Sequence, residues 1–291
     1  MSIEDQVASG WLRTYCQFDK EDWRIGALMD VAENRFEVRL ASSADEIMSA
    51  QRLRYRVFVE EMGASPDPAD RARRLERDRF DPHFDHLILL DNENRPSDPL
   101  DRVIGVYRLM RKDAAIKGEG FYGASEYDLT PLLKGGREIV ELGRSCVDAA
   151  YRGGAAMHFL WNGLAEYVLT RKIEIMFGVA SFHGTDTQAI AQALSYLHAH
   201  HLAPDDLRVT TLPEYFVAMD IIPPAAIERK TALKQIPALI KAYLRLGGFV
   251  GDGAYVDRAF NTTDVCLLMD TTRMTARYRD YYTQSHGVKA G

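Results

Sequence analysis

The chain has 291 residues, of which 46% are apolar, and this is enough to bury a full core in one large domain or two small ones. Its formal net charge of -6 argues against a general nucleic-acid-binding protein. No apolar run reaches the roughly 18 residues that a membrane-spanning helix needs, and no secretory signal is visible. Three widely spaced cysteines predict reduced thiols, without a disulfide framework or a metal site, so we expect a cytoplasmic protein.

The first part of the chain predicts a strand, a helix and a charged loop. Residues 35–40 alternate polar and apolar side chains, as a half-buried strand does. Residues 42–46 supply N-cap and acidic first-turn side chains, and apolar residues then recur at helical spacing up to Phe58, which predicts a helix that ends near Gly63. Residues 64–81 are rich in proline, aspartate and arginine without apolar periodicity, which predicts a loop with exposed charge.

The middle of the chain predicts antiparallel and then parallel strands. Residues 87–90 and 103–109 flank a turn-rich segment, which is typical of an antiparallel pair. The elements predicted next are a strand at 137–147, a helix at 155–170, a strand at 175–180 and a helix at 185–198. A strand, turn, helix and strand in this order predict a right-handed crossover between two parallel or near-neighbour strands.

The last part of the chain predicts a strand at 215–220, a basic amphipathic helix at 230–246 and a final strand at 265–269. Pro237 either kinks this helix or marks its true start. Its apolar face packs on the core or lies on a membrane, and we expect peripheral contact with the inner face of the cytoplasmic membrane only if that face is free.

Four charged or glycine-containing motifs occur along the chain between the first predicted helix and the strand predicted at 137–147. They are Arg54-x-x-x-Phe58, Glu76-x-Asp78-x-x-Asp81, Gly105-Val106-Tyr107-Arg108-Leu109 and Glu141-x-x-Arg144. Acidic groups next to a strand, followed by a glycine-containing turn and a helix, suit a site that binds an amine and transfers an acyl group to it. The residues by themselves predict amine acylation at a charged cleft.

The order of the elements resembles the GNAT N-acyltransferase fold, an α/β (α+β) fold with a mixed central sheet, helices on both faces and, in this chain, a C-terminal helical elaboration. The four motifs resemble the signature of acyl-homoserine-lactone synthases, which take acyl groups from acyl carrier protein. The whole chain, including residues 234–247, is most similar to bacterial L-ornithine N-alpha-acyltransferases, the first enzymes of ornithine lipid synthesis. We expect an N-terminal arm at 1–34 and one acyltransferase domain at 35–291, with a helical insertion at 221–262 before the last strand.

This resemblance implies transfer of a 3-hydroxyacyl chain from acyl carrier protein to the α-amine of L-ornithine, which gives lyso-ornithine lipid. It implies no permanently bound cofactor, because the carrier supplies 4'-phosphopantetheine. One alternative is acyl-homoserine-lactone synthesis with S-adenosylmethionine as acceptor, and the long segment after Asp220 speaks against it. Another is a non-catalytic GNAT-like module that binds lipid or the carrier protein.

The resemblance also suggests which groups do the chemistry. Glu141 is the candidate base, with Arg144 beside it, and burial on the central strand would raise the pKa of Glu141 toward the working pH. The alternative is a structural ion pair between these two residues. A backbone N–H around Cys146 or Val147 is the candidate oxyanion donor. Cys146 is the alternative as an acyl-accepting nucleophile, and His183 is the histidine best placed for proton transfer.

Ornithine presents two ammonium groups and a carboxylate, which call for paired acids and a guanidinium. On the resemblance, Asp78 and Asp81 take the ammonium groups, and Arg108 or Arg144 takes the carboxylate. Arg54 belongs to the same predicted pocket.

Other predicted contacts surround this pocket. Arg54 by itself would be a surface helix residue, and the resemblance implies that it helps to order the amino-terminal lobe and the substrate pocket. Phe58 is expected in the core or in the acyl-pocket wall. The pattern of Glu76 and its neighbours, taken without the family, predicts only a solvated loop.

Two further features concern the acyl donor. Tyr151-Arg152-Gly153-Gly154-Ala155-Ala156 is a blurred form of the pyrophosphate-binding turn of relatives that use coenzyme A. A carrier-bound donor brings a single phosphodiester, so we expect Arg152, Gly153, Gly154 and Ala155 to bind phosphopantetheine. An arginine-rich stretch in the charged loop suits an acidic carrier protein, and its members are Arg71, Arg73, Arg74, Arg77 and Arg79.

Overall fold

A computed structural model describes residues 35–153 and 155–273 of the chain. The predicted N-terminal arm at 1–34 and the predicted phosphopantetheine contact at Gly154 lie outside these residues. The chain divides into two compact units. Unit 1 combines the described residues of Met1–Leu109 with Arg144–Tyr167, and unit 2 combines Met110–Gly143 with the described residues of Val168–Gly291.

The strands that the structure describes are, in chain order, β1 (Phe36–Leu40), β2 (Asp85–Asp91), β3 (Val103–Arg111), β4 (Tyr127–Asp128), β5 (Ile139–Val147), β6 (Ile175–His183), β7 (Thr210–Thr211), β8 (Phe249–Val250), β9 (Tyr255–Asp257) and β10 (Thr262–Asp270). The α-helices are α1 (Ala44–Arg54), α2 (Pro68–Arg73), α3 (Lys112–Lys117), α4 (Thr130–Lys134), α5 (Ala156–Thr170), α6 (Ala191–His201), α7 (Arg229–Gln235) and α8 (Ala238–Arg245). β5 contributes its first half to unit 2 and its second half to unit 1.

Unit 1 contains the strand order β1-β2-β3-β5. β2 is antiparallel to β3, as predicted, and β1 is antiparallel to β2. The Ser43 hydroxyl caps α1 by accepting the N–H of Glu46 at 3.2 Å. The helix continues as a π-helical segment over Tyr55–Glu61 and ends before Gly63, which has a φ of 81°. Apolar side chains of α1, β2 and β3 form the core of this unit.

Unit 2 contains the strand order β5-β6-β10-β8, with β9 also paired to β10. β5 pairs with β6 in parallel over Ile139–Glu141, so the predicted parallel relation of these two strands is confirmed. β10 is antiparallel to β6 along its whole length, and all nine of its residues are buried. The central strands of unit 2 therefore hold Glu141 and the β10 side chains in a rigid frame.

Three predictions in the second half of the chain differ from the structure. Residues 215–220 do not form a strand, and within the described chain Val217 makes only an isolated bridge to Ala254. The aromatic residues that suggested a strand are exposed, since Tyr215 lies in a turn and Phe216 directly follows it rather than lying on a packed sheet.

The helix predicted at 185–198 begins instead at Ala191, the first residue of α6. The Asp186 carboxylate accepts the N–H groups of Gln188 and Ala189, at 3.0 and 3.2 Å. These hydrogen bonds stabilise a turn before the helix.

The basic segment at 230–246 is not one helix but two, because Pro237 ends α7 and starts α8. Ile240 and Tyr243 are buried, which places much of the apolar face of α8 against protein, while Leu239 and Leu244 are half-buried. Membrane contact through this segment stays a prediction. The predicted insertion at 221–262 also includes β8 and β9. No helix in the described part of the chain has the length and apolar character needed to cross a membrane.

Candidate active site

Unit 1 contains a buried ionic cluster of three arginines and three carboxylates. Its members are Arg54, Arg108, Arg144, Glu76, Asp78 and Asp81. α1 supplies the first arginine, β3 the second and β5 the third, while the carboxylates come from the segment between α2 and β2. The opposite charges match in number, which compensates for the removal of these groups from water.

Arg54 is fully buried and makes the densest contacts of the cluster. Its Nη1 and Nη2 each lie 2.9 Å from a carboxylate oxygen of Asp81, and its Nε lies 2.5 Å from Oε2 of Glu76. Burial alone would raise the pKa of Glu76, but the charges of Arg54 and Arg144 lower it to about 2. Glu76 and Asp81 are therefore ordered, charged groups.

This geometry corrects the prediction of a loop with exposed charge at 64–81. The segment includes the short helix α2, and Glu76 and Asp81 are buried rather than solvated. The carboxylates are buried because they neutralise guanidinium groups on α1, β3 and β5, a relation that local sequence periodicity does not contain.

Arg108 and Arg144 complete the cluster around Asp78. Nη1 of Arg108 lies 2.8 Å from both carboxylate oxygens of Asp78 and 2.7 Å from Oδ1 of Asp81, and the guanidinium lies over the ring of Phe84. Burial and the neighbouring guanidinium groups lower the pKa of Arg108. The predicted roles of these acids and arginines toward ornithine stay predictions, but their charges already neutralise one another.

Arg144 has an unusual backbone conformation. Its φ is 50°, in the left-handed region, although it lies inside strand β5. Such a conformation is costly for a residue with a side chain and is typical of functional sites. It accompanies the contacts of Arg144 with Glu76 at 3.0 Å and Asp78 at 3.3 Å.

His86 belongs to the same region and was missed by the sequence analysis. Its Nε2 lies 3.1 Å from the carbonyl oxygen of Asp81, and this contact requires a protonated Nε2. Burial, followed by the charge of Arg54, lowers the pKa of His86. The ring is therefore neutral at pH 7 and supports the backbone at Asp81, and no sequence signal distinguishes it from an ordinary strand residue.

Glu141 occupies a separate, buried position in unit 2, with 2% of its surface exposed. Its carboxylate accepts the N–H of Tyr122 at 2.8 Å and the N–H of Gly123 at 2.6 Å. A Cβ atom at Gly123 would lie 3.0 Å from Oε1 of Glu141, so the glycine permits this close approach. The Tyr122–Ser125 turn thus fixes the orientation of the carboxylate, and sequence analysis missed this partner of the candidate base.

Cys146 lies in the core of unit 1, where Phe58 packs against the same cluster. Burial raises the pKa of its thiol to about 12, despite the opposing charge of Arg54. A neutral, buried thiol is a poor nucleophile, which speaks against the acyl-cysteine alternative. Val147 lies next to it at the end of β5, where its carbonyl accepts a hydrogen bond from Arg152 at 2.9 Å.

The segment predicted to bind phosphopantetheine turns from β5 into α5. Arg152 also forms an ion pair with Glu61 at 2.6 Å, and Gly153 has a φ of 77°, which favours glycine. The carbonyl of Ala155 accepts the N–H of Phe159 at the start of α5. His183, the histidine favoured for proton transfer, lies exposed at the end of β6.

Comparison with known proteins identifies the family to which these features belong. The family model described as an acetyltransferase (GNAT) domain matches residues 53–162. The L-ornithine N(alpha)-acyltransferase of Rhodobacter capsulatus is 56% identical over 256 residues, which are 88% of this chain and 98% of that protein. The enzyme of the same name from Brucella abortus is 44% identical, over 89% of this chain and 90% of its own.

Solved structures with a related fold include FeeM, an N-acyl amino acid synthase from uncultured soil microbes. It is 11% identical, with a TM-score of 0.47, over 84% of this chain and 97% of its own.

Proposed function

We propose that this chain, which belongs to the L-ornithine N(alpha)-acyltransferase family, transfers a 3-hydroxyacyl chain from acyl carrier protein to the α-amine of L-ornithine. The product is an N-acylated ornithine, the lyso-ornithine lipid. The observation that carries the proposal is the buried carboxylate of Glu141, oriented by the N–H groups of Tyr122 and Gly123 in a chain of this family.

Glu141 suits the role of base because its carboxylate is fixed before the substrate arrives. It removes a proton from the α-ammonium, directly or through a water molecule, and the neutral amine then attacks the thioester carbonyl carbon. A C–N bond forms, and backbone N–H groups near the end of β5 stabilise the oxyanion. The nitrogen then gives up its second proton, the C–S bond breaks, and the phosphopantetheine thiolate takes up that proton and leaves as the thiol.

The carrier-protein donor is supported by charge at the surface of unit 1. Arg71 and Arg73 lie on α2, are exposed, and form no ion pair within the described residues. Arg74 and Arg77, by contrast, pair with Glu60 and Asp70. The two unpaired guanidinium groups are available to an acidic carrier protein.

Mass spectrometry of the products tests the proposal. The purified protein is incubated with 3-hydroxyacyl carrier protein and ornithine, with lysine and S-adenosylmethionine as competing acceptors. We expect acyl-ornithine, its loss in Glu141→Gln, and its retention in the exposed control Glu138→Gln. An acyl-homoserine lactone would identify the other synthase activity, and donor binding without any transfer would favour a non-catalytic module.

A further inference from the structure

A second carboxylate cluster lies in unit 2 and is formed by Glu126, Asp257 and Asp264. One carboxylate oxygen from each residue lies within 4.8 Å of the others. Glu126 and Asp264 are 4% and 3% exposed, and Asp257 is half-buried. Asp257 is thus the member through which the cluster is most accessible. Three carboxylates at such distances attract a cation strongly.

The backbone around the two buried acids is firmly held. The N–H of Glu126 donates to the carbonyl of Gly123 at 3.1 Å, and the N–H of Leu212 donates to the carbonyl of Glu126 at 2.8 Å. The hydroxyl of Tyr127 donates to the backbone carbonyl of Asp264 at 3.0 Å. The acids are therefore held in place by the fold, as a binding site requires.

A buried hydroxyl next to the cluster provides an independent observation. Thr262 is 2% exposed, and its Oγ1 has no hydrogen-bond partner within the described residues. Thr262 lies directly opposite Asp257 in the β9–β10 register, and Asp264 follows it on the same face of β10. A buried polar group without a partner is unfavourable, so this hydroxyl points to a ligand at the cluster, and its oxygen can accept a hydrogen bond from a ligand that the carboxylates also bind.

The surroundings of the cluster are electrostatically negative. Burial raises the pKa of Tyr127, and nearby acidic groups, including Glu126 and Asp264, raise it further. Burial also raises the pKa of Tyr255, followed by the effects of Glu126 and Asp257. This potential favours a positively charged ligand.

The cluster is linked to Glu141 through the Tyr122–Ser125 turn. Gly123 donates its N–H to the Glu141 carboxylate and accepts the N–H of Glu126 through its carbonyl. Burial raises the pKa of Cys266, and the negative charges of Glu141 and Glu126 raise it further. The base and Glu126 are therefore both close enough to this thiol to act on its charge, and all three lie in the same unit.

We infer that Glu126, Asp257 and Asp264, together with the Thr262 hydroxyl, bind the side-chain ammonium of the amino-acid acceptor. This site replaces the predicted ammonium contacts of Asp78 and Asp81, whose charges are already paired with arginines. This inference rests on the proposed acylation of ornithine at Glu141. Ornithine carries a second ammonium three methylene groups beyond its α-carbon, and an ammonium donates hydrogen bonds in three directions to carboxylate and hydroxyl oxygens.

The experiment compares ornithine with norvaline, which has the same carbon chain without the side-chain ammonium. Values of kcat/KM are measured for the wild type and for Glu126→Gln and Asp264→Asn. We expect the preference for ornithine to fall by about tenfold or more in each variant, because a charged hydrogen bond is lost. The rate with norvaline should be retained. Glu214→Gln, at an exposed position of the same unit, should keep the wild-type preference.

Three results would overturn the inference. The first is a wild type that acylates both amino acids equally well, and the second is a set of variants that lose both activities in proportion. The third is inactivation of the wild type by a chelator and its reversal by added Mg²⁺ or Ca²⁺, which would identify a metal site. If either buried variant fails to fold, Asp257→Asn at the half-buried position repeats the test. Absence of transfer to any amino acid would instead refute the proposed function, which separates the two failures.

Discussion

Arg54 and Asp81 form a two-point ion pair in which both N–O distances are 2.9 Å and the arginine side chain is fully buried. The same guanidinium also contacts Glu76. Arg54 is thus the central cation for Glu76 and Asp81, two acids for which the sequence pattern predicted a solvated loop. It connects α1 to the segment before β2. This arrangement makes the ionic cluster a determinant of stability.

Replacing Arg54 with methionine should destabilise the protein by about 3 to 5 kcal/mol, because Glu76 and Asp81 would remain buried without their main cation. The free energy of unfolding is measured by chemical denaturation. The exposed control Arg71→Met should change it by less than about 0.5 kcal/mol. Equal effects of the two substitutions would contradict a structural role for the cluster.

The cluster also predicts how stability depends on pH. The pKa of Glu76 is lowered from its ordinary 4.5 to about 2, so the unfolded chain binds a proton at a higher pH than the folded protein does. The stabilisation is therefore complete above about pH 4.5 and is lost as the pH falls toward 2.

The free energy of unfolding, measured between these pH values, should decrease less steeply with falling pH in Glu76→Gln than in the wild type. Glu214→Gln, which removes an exposed acid, should keep the wild-type slope. An unchanged slope in Glu76→Gln would contradict a lowered pKa of this carboxyl group.

The sequence predicted those parts of the fold that depend on neighbouring residues. The cap at Ser43, the helix end before Gly63 and the β5–β6 parallel pair follow from capping, glycine conformation and apolar runs. The strand predicted at 215–220 was wrong because its two aromatic side chains, which raise β-propensity, are exposed at a turn and just after it.

The candidate site was predictable only in part. The family motifs selected Glu141, but its partners at Tyr122 and Gly123 depend on how a turn folds back onto β5. Glu126 and Asp264 are far apart in sequence, and the contact of Tyr127 with the Asp264 carbonyl brings them together, while the β9–β10 register places Asp257 near Asp264. Local patterns contain no information about such distant pairs.

Substitution of Gly123 by alanine should reduce kcat while the protein stays folded. The added Cβ would lie 3.0 Å from Oε1 of Glu141, so the carboxylate or the turn must move. A displacement of this kind near a catalytic group reduces rates by about 10-fold to 100-fold. Steady-state kinetics with ornithine measure the effect.

Gly135→Ala is the matched control for this substitution. A Cβ at Gly135 would meet the Arg137 side chain at 3.8 Å, an ordinary contact distance, and its φ of -74° suits alanine. Its kcat should remain within about twofold of the wild type. A Gly123→Ala enzyme with full activity would show that the orientation of Glu141 is not critical.

Cys146→Ala should retain acyl transfer. The thiol is buried with a pKa of about 12, so almost none of it is ionised near pH 7, and the proposed attack by the amine needs no acyl-cysteine. The substitution should cost about 1 kcal/mol of stability through a small cavity. Intact-protein mass spectrometry during turnover would reveal any acyl adduct of the enzyme. An adduct that is present in the wild type and absent in Cys146→Ala would refute direct transfer.

Replacing Arg71 and Arg73 with glutamate should weaken the use of the carrier-bound donor but not the use of a donor that lacks the carrier protein. Both guanidinium groups are exposed on α2 and make no ion pair in the part of the chain that the structure describes, so glutamates there repel an acidic carrier protein. KM for 3-hydroxyacyl carrier protein should be about tenfold higher in the double variant than in the wild type at low salt. The difference should be smaller at high salt, because salt screens both the attraction by the wild-type arginines and the repulsion by the introduced glutamates. The rate with 3-hydroxyacyl-pantetheine, which lacks the protein, should stay at the wild-type value.

The matched control reverses Arg229 and Lys230, two exposed cations in unit 2, and gives the same change in net charge. This control keeps α2 intact and shares with the first variant only the change in net charge. If α2 recognises the carrier protein, the control should leave KM for the carrier-bound donor unchanged. Equal increases of KM in both double variants would indicate that net charge alone governs the encounter. An increase limited to Arg71 and Arg73 would assign carrier recognition to α2, on a surface separate from the buried ionic cluster.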